Sequence, residues 1–505
     1  MSALPSQAAV AVIGAGAMGA GIAQVAAQAG HPVKLYDTRP GAATQAIAGI
    51  DQQLRKRVAA GKLAQAAHAA CLANLQACEQ LEQLADCSLI VEAVVENLDI
   101  KRELFKNLEL LCRPDCILAS NTSSLSITSL GAQLQRPERL AGLHFFNPAP
   151  VMALVEIVSG LATAPQVATT LYDTAVNWGK KPVHTCSTPG FIVNRVARPF
   201  YAESLRLLQE GAADCATLDA LTREAGGFRM GAFELTDLIG HDVNYAVTCS
   251  VFEAYYHDMR FQPSLLQKQL VNAGRLGRKT GQGFYDYREG AEPPQPVRLS
   301  SQRVVKSCIA EGLNPILEPL LQRLRANGVE VIQRPGSGVL RIGEAVLALS
   351  DGRMASCRAR DEGLQNLLLL DLALDYASAT AIGIGHAHGC TAQALDDVVA
   401  LLSTAGLQVS VLGDSPGLLV LRTVAMLANE GADAVLQGVA SAADVDLAMC
   451  AGVNYPKGPL AWADSIGLAS VVNTLENIQA AYGEERYRPS LLLRRRLAEG
   501  RNLHD

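Results

Sequence analysis

The sequence predicts an α/β domain at the N-terminus, then an all-α domain, a small degenerate α/β domain and a second copy of the all-α domain. Three observations carry this. Near the N-terminus a glycine-rich turn joins a short apolar run to a helical stretch. STPGFIVNR at 187–195 is written again as DSPGLLVLR at 414–422. Between the two copies, short apolar runs alternate with helical patterns. At 505 residues the chain exceeds one core, and three or four domains is the natural division. The boundaries read as 1–186, 187–290, 291–405 and 406–505.

Composition narrows the function classes. Net charge is −6, from 43 basic and 49 acidic residues, with no long basic block, so no nucleic-acid partner is expected. The N-terminus lacks the basic start and clean apolar core of a signal peptide. Asp371 and Asp375 interrupt the most apolar stretch, so no membrane span is expected. Twelve cysteines are scattered without a C-x-x-C pair, which fits reduced thiols in a cytoplasmic protein. His386, His388 and Cys390 in GHAHGC lack a fourth ligand at sensible spacing. They read as a polar turn, and no metal is expected.

The first element is the apolar run Val10 to Ile13, followed by Gly14-x-Gly16-Ala17-Met18-Gly19, a helical stretch and a second run ending at Asp37. The glycines serve a tight turn, close approach of backbone to a pyrophosphate, and helix–strand packing. The helix N-terminus then offers free N–H groups to phosphates. Asp37, 18 residues after Gly19, is placed to meet ribose hydroxyls. This is a Rossmann-type domain that binds NAD; Asp37 disfavours a 2′-phosphate, and Arg39 is the counterweight.

Arg55-Lys56-Arg57 and Lys62 lie on the next helical segment. They read first as a solvated face and alternatively as a phosphate-contacting arm. A strand through Val91 ends in Glu92 and Glu96 and is followed by a helix with Lys101. Another strand, through Ala119, runs into Asn121, Thr122, Ser123 and Ser124. Strand ends of this kind line ligand crevices in open parallel sheets. A third strand, Gly142 to Phe146, carries His144, and a fourth, Leu154 to Val158, carries Glu156. A carboxylate in an apolar strand needs a partner, because burying an unpaired charge is costly. His144 is the obvious one, and the pair is either a general base or a purely structural contact.

GAGAMGAGIA, VEAVVEN, SNTSSLSIT, GLHFFNPAPVMALVEIV and STPGFIVNR, in that order, resemble the L-3-hydroxyacyl-CoA dehydrogenases from about residue 8 to residue 287. The duplicated helical domain looks most like the bacterial branch that oxidises 3-hydroxyadipyl-CoA in phenylacetate degradation. A 3-hydroxybutyryl-CoA or general fatty-acid β-oxidation enzyme is the alternative. The resemblance implies His144 as the base, Glu156 as its orienting partner, and Ser123 and Asn194 as hydrogen-bonding groups for the reacting oxygen. It implies Asp37, Glu96, Lys101 and Asn121 on NAD, and Lys56 and Lys62 on the CoA phosphates. Where some relatives carry Ser on that arm, this chain has Gln53. An acyl-CoA substrate follows. Relatives with one helical domain dimerise through it, and a second copy can satisfy that interface within one chain, so a homo-oligomer stays open.

The two helical copies keep register at an offset of 227, with Gly231 matching Gly458, Asp237 matching Asp464 and Gly240 matching Gly467. Asn194 becomes Leu421 and His241 becomes Leu468, so the second copy is expected to hold a shape without polar groups for substrate. The region between them lacks G-x-G-x-x-G after a strand and is expected to bind no NAD. Two rivals are weaker. A β-hydroxyacid dehydrogenase would need a Lys base where this chain has Asn194-Arg195. A non-catalytic NAD-binding protein would not need Ser123, His144, Glu156 and Asn194 together.

Overall fold

The computed structural model describes residues 3–312 and 314–505. These fall into two compact units. One holds the chain to Arg195 together with Gln437–Val453; the other holds Val196–Leu436 and Asn454–Asp505.

The first unit is built on an eight-stranded sheet: β1 (Val10–Ile13), β2 (Val33–Tyr36), β3 (Leu75–Cys78), β4 (Leu89–Glu92), β5 (Ile117–Ser120), β6 (Leu140–Phe145), β7 (Leu154–Ser159) and β8 (Lys181–Cys186). Their order is β3-β2-β1-β4-β5-β6-β7-β8. The strands from β3 to β6 are parallel; β7 is antiparallel to β6, and β8 is parallel to β7. The order reverses between β1 and β4, which opens a crevice at their carboxyl ends. β1 is buried on both faces. Val10 and Val12 join one core with Ile22 and Leu35, while Ala11 and Ile13 join another with Ile90 and Phe105. Continuous apolar runs are what a sheet covered on both faces demands. The sequence-predicted strands at β1 and β2 coincide with those observed, and the others differ by one or two residues at their ends.

The second unit contains a seven-stranded mixed sheet: β9 (Ser307–Glu311), β10 (Glu330–Arg334), β11 (Val339–Ile342), β12 (Ala345–Leu349), β13 (Leu367–Leu370), β14 (Ala381–His386) and β15 (Gln408–Val411), in the order β10-β9-β11-β12-β13-β14-β15. Its last three strands copy the last three of the first sheet. β13, β14 and β15 begin 227 residues after β6, β7 and β8, and they pair in the same senses. The duplication therefore starts well upstream of STPGFIVNR. The sequence conceals this because almost no residue identity survives in these strands.

Helices of the two copies also correspond. Cys215–Glu224, Ala232–Ile239 and His241–Ala254 in the first match Ala442–Val453, Pro459–Ile466 and Leu468–Tyr482 in the second. Each hinges on a glycine with nearly the same backbone, φ 100° at Gly240 and 94° at Gly467. Within the first unit, the second copy's helix Ala442–Val453 packs on β7 and β8, and the Cys186 amide donates to the Val439 carbonyl. Within the second unit, the first copy's helix Cys215–Glu224 packs on β14, and the Gly413 amide donates to the Ala212 carbonyl. These contacts are reciprocal, residue for residue, as in an isologous interface.

In the first helical copy, Asp219 accepts from the amides of Phe233 and Glu234 and from the Tyr285 hydroxyl, 2.8–3.0 Å away. It thus caps the helix Ala232–Ile239, whose own N-cap is Gly231. A Cβ on Gly231 would lie 2.1 Å from the Asp219 carboxylate. Burial raises Asp219 to about 7 despite the three hydrogen bonds that favour its charged form. A carboxyl raised on folding is protonated first in the native state, so its stabilisation is full below pH 4 and is lost as pH rises through about 7. Unfolding free energy measured by denaturant titration should therefore fall between pH 5 and about pH 8. Asp219→Asn, though less stable overall, should show a flatter profile.

Candidate active site

The crevice at the β1–β4 reversal is shaped by the three glycines. Gly14 turns at φ +103°, and a Cβ there would come within 2.5 Å of the Ala93 carbonyl. A Cβ on Gly19 would lie 1.7 Å from the Gly14 carbonyl oxygen, so this glycine lets the helix Ala17–Gln28 sit against the turn. A Cβ on Gly16 would meet nothing within 4 Å. The first helix turn, at Gly16, Ala17 and Met18, thus presents its amides to open space. These are the three roles expected of a pyrophosphate cradle, and the backbone fits a dinucleotide.

At the end of β2, Asp37 accepts from the Ala15 amide at 2.7 Å and from the Arg39 amide and Nε at 2.9 and 3.1 Å. Burial opposes its charge, but the Arg39 and backbone hydrogen bonds outweigh this and hold the carboxyl below its ordinary range. Arg39 is thereby tied to Asp37 rather than left as an independent phosphate ligand.

Two glutamates organise the ends of β4 and β5. Glu92, fully buried, takes Lys101 Nζ at 2.5 Å, the Ser120 hydroxyl at 2.6 Å and the Val94 amide at 2.7 Å. Glu96 accepts from the hydroxyls of Thr122 and Ser124 at 2.6 and 2.9 Å, and from the Ser123 amide at 3.1 Å. Burial raises the Glu96 pKa, but Thr122, Lys101 and Ser124 bring it below the ordinary value. Lys101 is itself buried, its ammonium shared among Glu92, Glu96 and the Val94 carbonyl. The cation expected beside the cofactor thus stands in ion-pair contact with Glu96, 3.2 Å away. Asn121 accepts from the Phe145 amide at 2.8 Å, which ties the β5 end to β6 and leaves its NH₂ to donate. Glu92 was not singled out for the site, although a carboxylate in an apolar strand was the same signal that marked Glu156.

His144 and Glu156 face each other across the β6–β7 ladder. Nδ1 of His144 lies 2.6 Å from Glu156 Oε2. The other carboxylate oxygen accepts from the Ile192 and Val193 amides, each at 3.0 Å. Those amides open the helix Val193–Val196, which carries Asn194. Glu156 thus receives a helix terminus and an imidazole together, which compensates a charge that is 1% exposed. With Nδ1–H directed at Glu156, Nε2 of His144 is left as the basic nitrogen. Among the described residues nothing hydrogen-bonds it. Phe146 and Phe191 pack on the ring, with centroids 4.6 and 5.7 Å away. Ser123 and Asn194 are half-buried, and their side chains make no hydrogen bond among the described residues. Lys56 and Lys62 are exposed, while neighbouring Arg55 pairs with Asp51 at 2.8 Å.

The same lattice point in the second unit is chemically empty. At the offset of 227, Asp371 stands for His144 and Gly383 for Glu156. Asp371 itself accepts the amides of Leu419, Val420 and Leu421 at 2.8–3.0 Å, so the helix is still capped but no imidazole is left to orient. His241 requires a correction. It was grouped with the polar side chains aimed at substrate, yet it is fully buried and bonds Asp237 at 2.7 Å. Asp237 also takes the Phe284 and Tyr285 amides, so the pair clasps the tail Gly281-Gln282-Gly283-Phe284. Asp464 does the same for the second copy's tail through Leu503 and His504. Among the described residues no cluster of His, Cys, Asp or Glu could hold a metal, and no helix is long and apolar enough to cross a membrane.

A dinucleotide crevice beside a carboxylate-held imidazole points to a class: an NAD-dependent dehydrogenase. Residues 9–188 match the 3-hydroxyacyl-CoA dehydrogenase NAD-binding domain, and 190–287 with 417–504 match the C-terminal domain of that family. Residues 347–416 match the 3-hydroxybutyryl-CoA dehydrogenase reduced Rossmann-fold domain. A protein of Escherichia coli K12 named 3-hydroxyadipyl-CoA dehydrogenase is 45% identical over 96% of this chain and 97% of its own. A 3-hydroxybutyryl-CoA dehydrogenase of Clostridioides difficile is 40% identical over 55% of this chain and 99% of its own. A crystal structure of a 3-hydroxybutyryl-CoA dehydrogenase from Escherichia coli K12 superposes with TM-score 0.89 at 44% identity, covering 98% of this chain and 99% of the other. The chain belongs to the 3-hydroxyacyl-CoA dehydrogenase family.

Calorimetric titration should find one NAD per chain, since only the first crevice has the glycine turn. Leu421→Ala, at a side chain 3% exposed, should cost about 2–5 kcal/mol of stability and leave turnover per folded molecule unchanged.

Proposed function

We propose that the protein oxidises (3S)-3-hydroxyacyl-CoA to 3-oxoacyl-CoA, with 3-hydroxyadipyl-CoA as its preferred substrate. The observation that carries the reaction is the His144–Glu156 pair fastened to the helix that bears Asn194. Nε2 of His144 takes the proton of the 3-hydroxyl, and the imidazolium that results is stabilised by Glu156. An aliphatic alcohol is too weak an acid to ionise alone, so a positioned base contributes on the order of 10²–10⁴ in rate. Ser123 and Asn194 hold the oxygen as its negative charge develops, which lowers the barrier further. NAD, when bound, supplies the acceptor for the hydride that leaves C3. Asp37 holds its ribose hydroxyls, the Gly16–Gly19 turn its pyrophosphate, and the side of the crevice at Glu96 and Asn121 its nicotinamide half. The exposed Lys56 and Lys62 meet the CoA phosphates. The near full-length likeness to a 3-hydroxyadipyl-CoA dehydrogenase supports the adipyl chain. The 3-hydroxybutyryl compound is the second reading, favoured by the name of the superposed structure.

His144→Gln should lower kcat by a factor on the order of 10²–10⁴ while NADH affinity stays nearly intact. An unchanged rate would refute the base assignment. Steady-state kinetics over a chain-length series that includes the adipyl and butyryl compounds ranks the substrates.

A further inference from the structure

The second unit holds a cavity of about 380 Å³, lined by Arg198, Tyr201, Thr248, Arg260, Ser264 and Arg486, among others. Its arginines are not equivalent. Arg260 pairs with Asp433, and Arg486 with Glu203 at 3.2 Å. Arg206, also on the wall, pairs with Glu484 and with Glu210. Arg198 has no carboxylate partner among the described residues. It is 5% exposed, donates from Nη1 to the Thr248 hydroxyl at 3.0 Å, and lies 5.0 Å from the Tyr201 ring. Its Nε is buried without a hydrogen bond. So are Nε of Arg260, Nε of Arg486 and the hydroxyl of Ser264.

A buried guanidinium without a counter-ion is costly, and burial lowers its pKa with no opposing carboxylate nearby. Every unsatisfied atom on this wall can donate, so the missing group is an acceptor with negative charge. A carboxylate answers both needs, because it accepts on two oxygens and matches the guanidinium fork. The volume suits a small organic group. Glu210, the acidic side chain on the wall, is taken by Arg206 and the Tyr482 hydroxyl and does not oppose an incoming anion directly.

We propose that this cavity is a carboxylate-recognition site with Arg198 as its principal ligand. Two sources can supply the group: the far end of a dicarboxylyl-CoA chain, which rests on the adipyl reading above, or a free dicarboxylate bound on its own. In sequence, Arg198 follows Asn194 by four residues.

Arg198→Met keeps length and removes the charge; Arg198→Lys keeps the charge and loses the fork. Both are compared with the full-length protein on 3-hydroxyadipyl-CoA and 3-hydroxyhexanoyl-CoA, which differ only in the terminal group, and by calorimetry with adipate. A fall in kcat/KM of roughly 10–100-fold on the adipyl compound alone, the scale of a charged hydrogen bond, supports the acyl-chain source. Adipate binding that is lost in Arg198→Met, with both substrates turned over as before, supports the free dicarboxylate. If neither change is seen, the proposal is overturned. The calorimetric arm stands even if the wild-type protein oxidises no 3-hydroxyacyl-CoA, so the two readings fail separately. Arg198→Met should also melt at or above the wild-type temperature, since it removes an uncompensated buried charge. A purely structural arginine would melt lower. If Arg198→Met does not fold, weakened adipate binding or weakened adipyl kinetics in Arg198→Lys carries the test, and their full retention overturns it.

Discussion

The carboxylate of Glu156 joins three parts of the chain. It reaches from β7 to an imidazole on β6 and to the first two amides of the helix that carries Asn194. Each contact makes the others affordable. The amides and the imidazole stabilise a charge that burial would otherwise expel, and the fixed charge sets which nitrogen of His144 bears the proton. The rest of the first unit can be understood as holding these groups still. Antiparallel pairing at the end of a parallel sheet puts residues 144 and 156 directly opposite each other. The phenylalanine rings on either side keep the imidazole from turning.

The second unit shows what the constraint amounts to without the imidazole. A buried carboxylate still caps the helix after the S-P-G turn, and the left-handed residues Phe191 and Leu418, φ 47° and 54°, hold the same bend. The carboxylate now comes from the strand that carried the histidine. With Asp371 in that place and Gly383 opposite, one residue does the architectural work of two. Capping is the part of the interaction that both units keep, and the imidazole is the part that the proposed chemistry requires.

Legibility in the sequence followed the same division. The glycine turn, Asp37, His144 and Glu156 could be read because each is an anomaly in its setting: glycines where a helix begins, charges where strands should be apolar. His241 was misplaced for a simple reason. A polar residue beside a motif resembles a ligand contact, and nothing in a sequence shows that its hydrogen bonds are already taken. The repeated strands β13–β15 were legible as a degenerate α/β domain but not strand for strand, because a buried strand accepts many apolar residues, so identity fades while register persists. Arg198 was invisible too, since an arginine at the start of an amphipathic helix is ordinary until its surroundings are known.

The retained second copy has a physical use in the first unit. Its helix Ala442–Val453 packs on β7 and β8, the strand of Glu156 and its neighbour. Gly452 lies where a Cβ would be 2.5 Å from Leu154 and 3.2 Å from Val193, so this helix presses on the start of β7 and on the residue before Asn194. Both neighbours are buried, and close packing transmits even small displacements. The copy with Asp371 in place of a histidine therefore braces the strand and the helix between which the Glu156 carboxylate is strung. That bracing surface does not depend on the polar groups that differ between the copies, because packing on β7 depends on shape and apolar area.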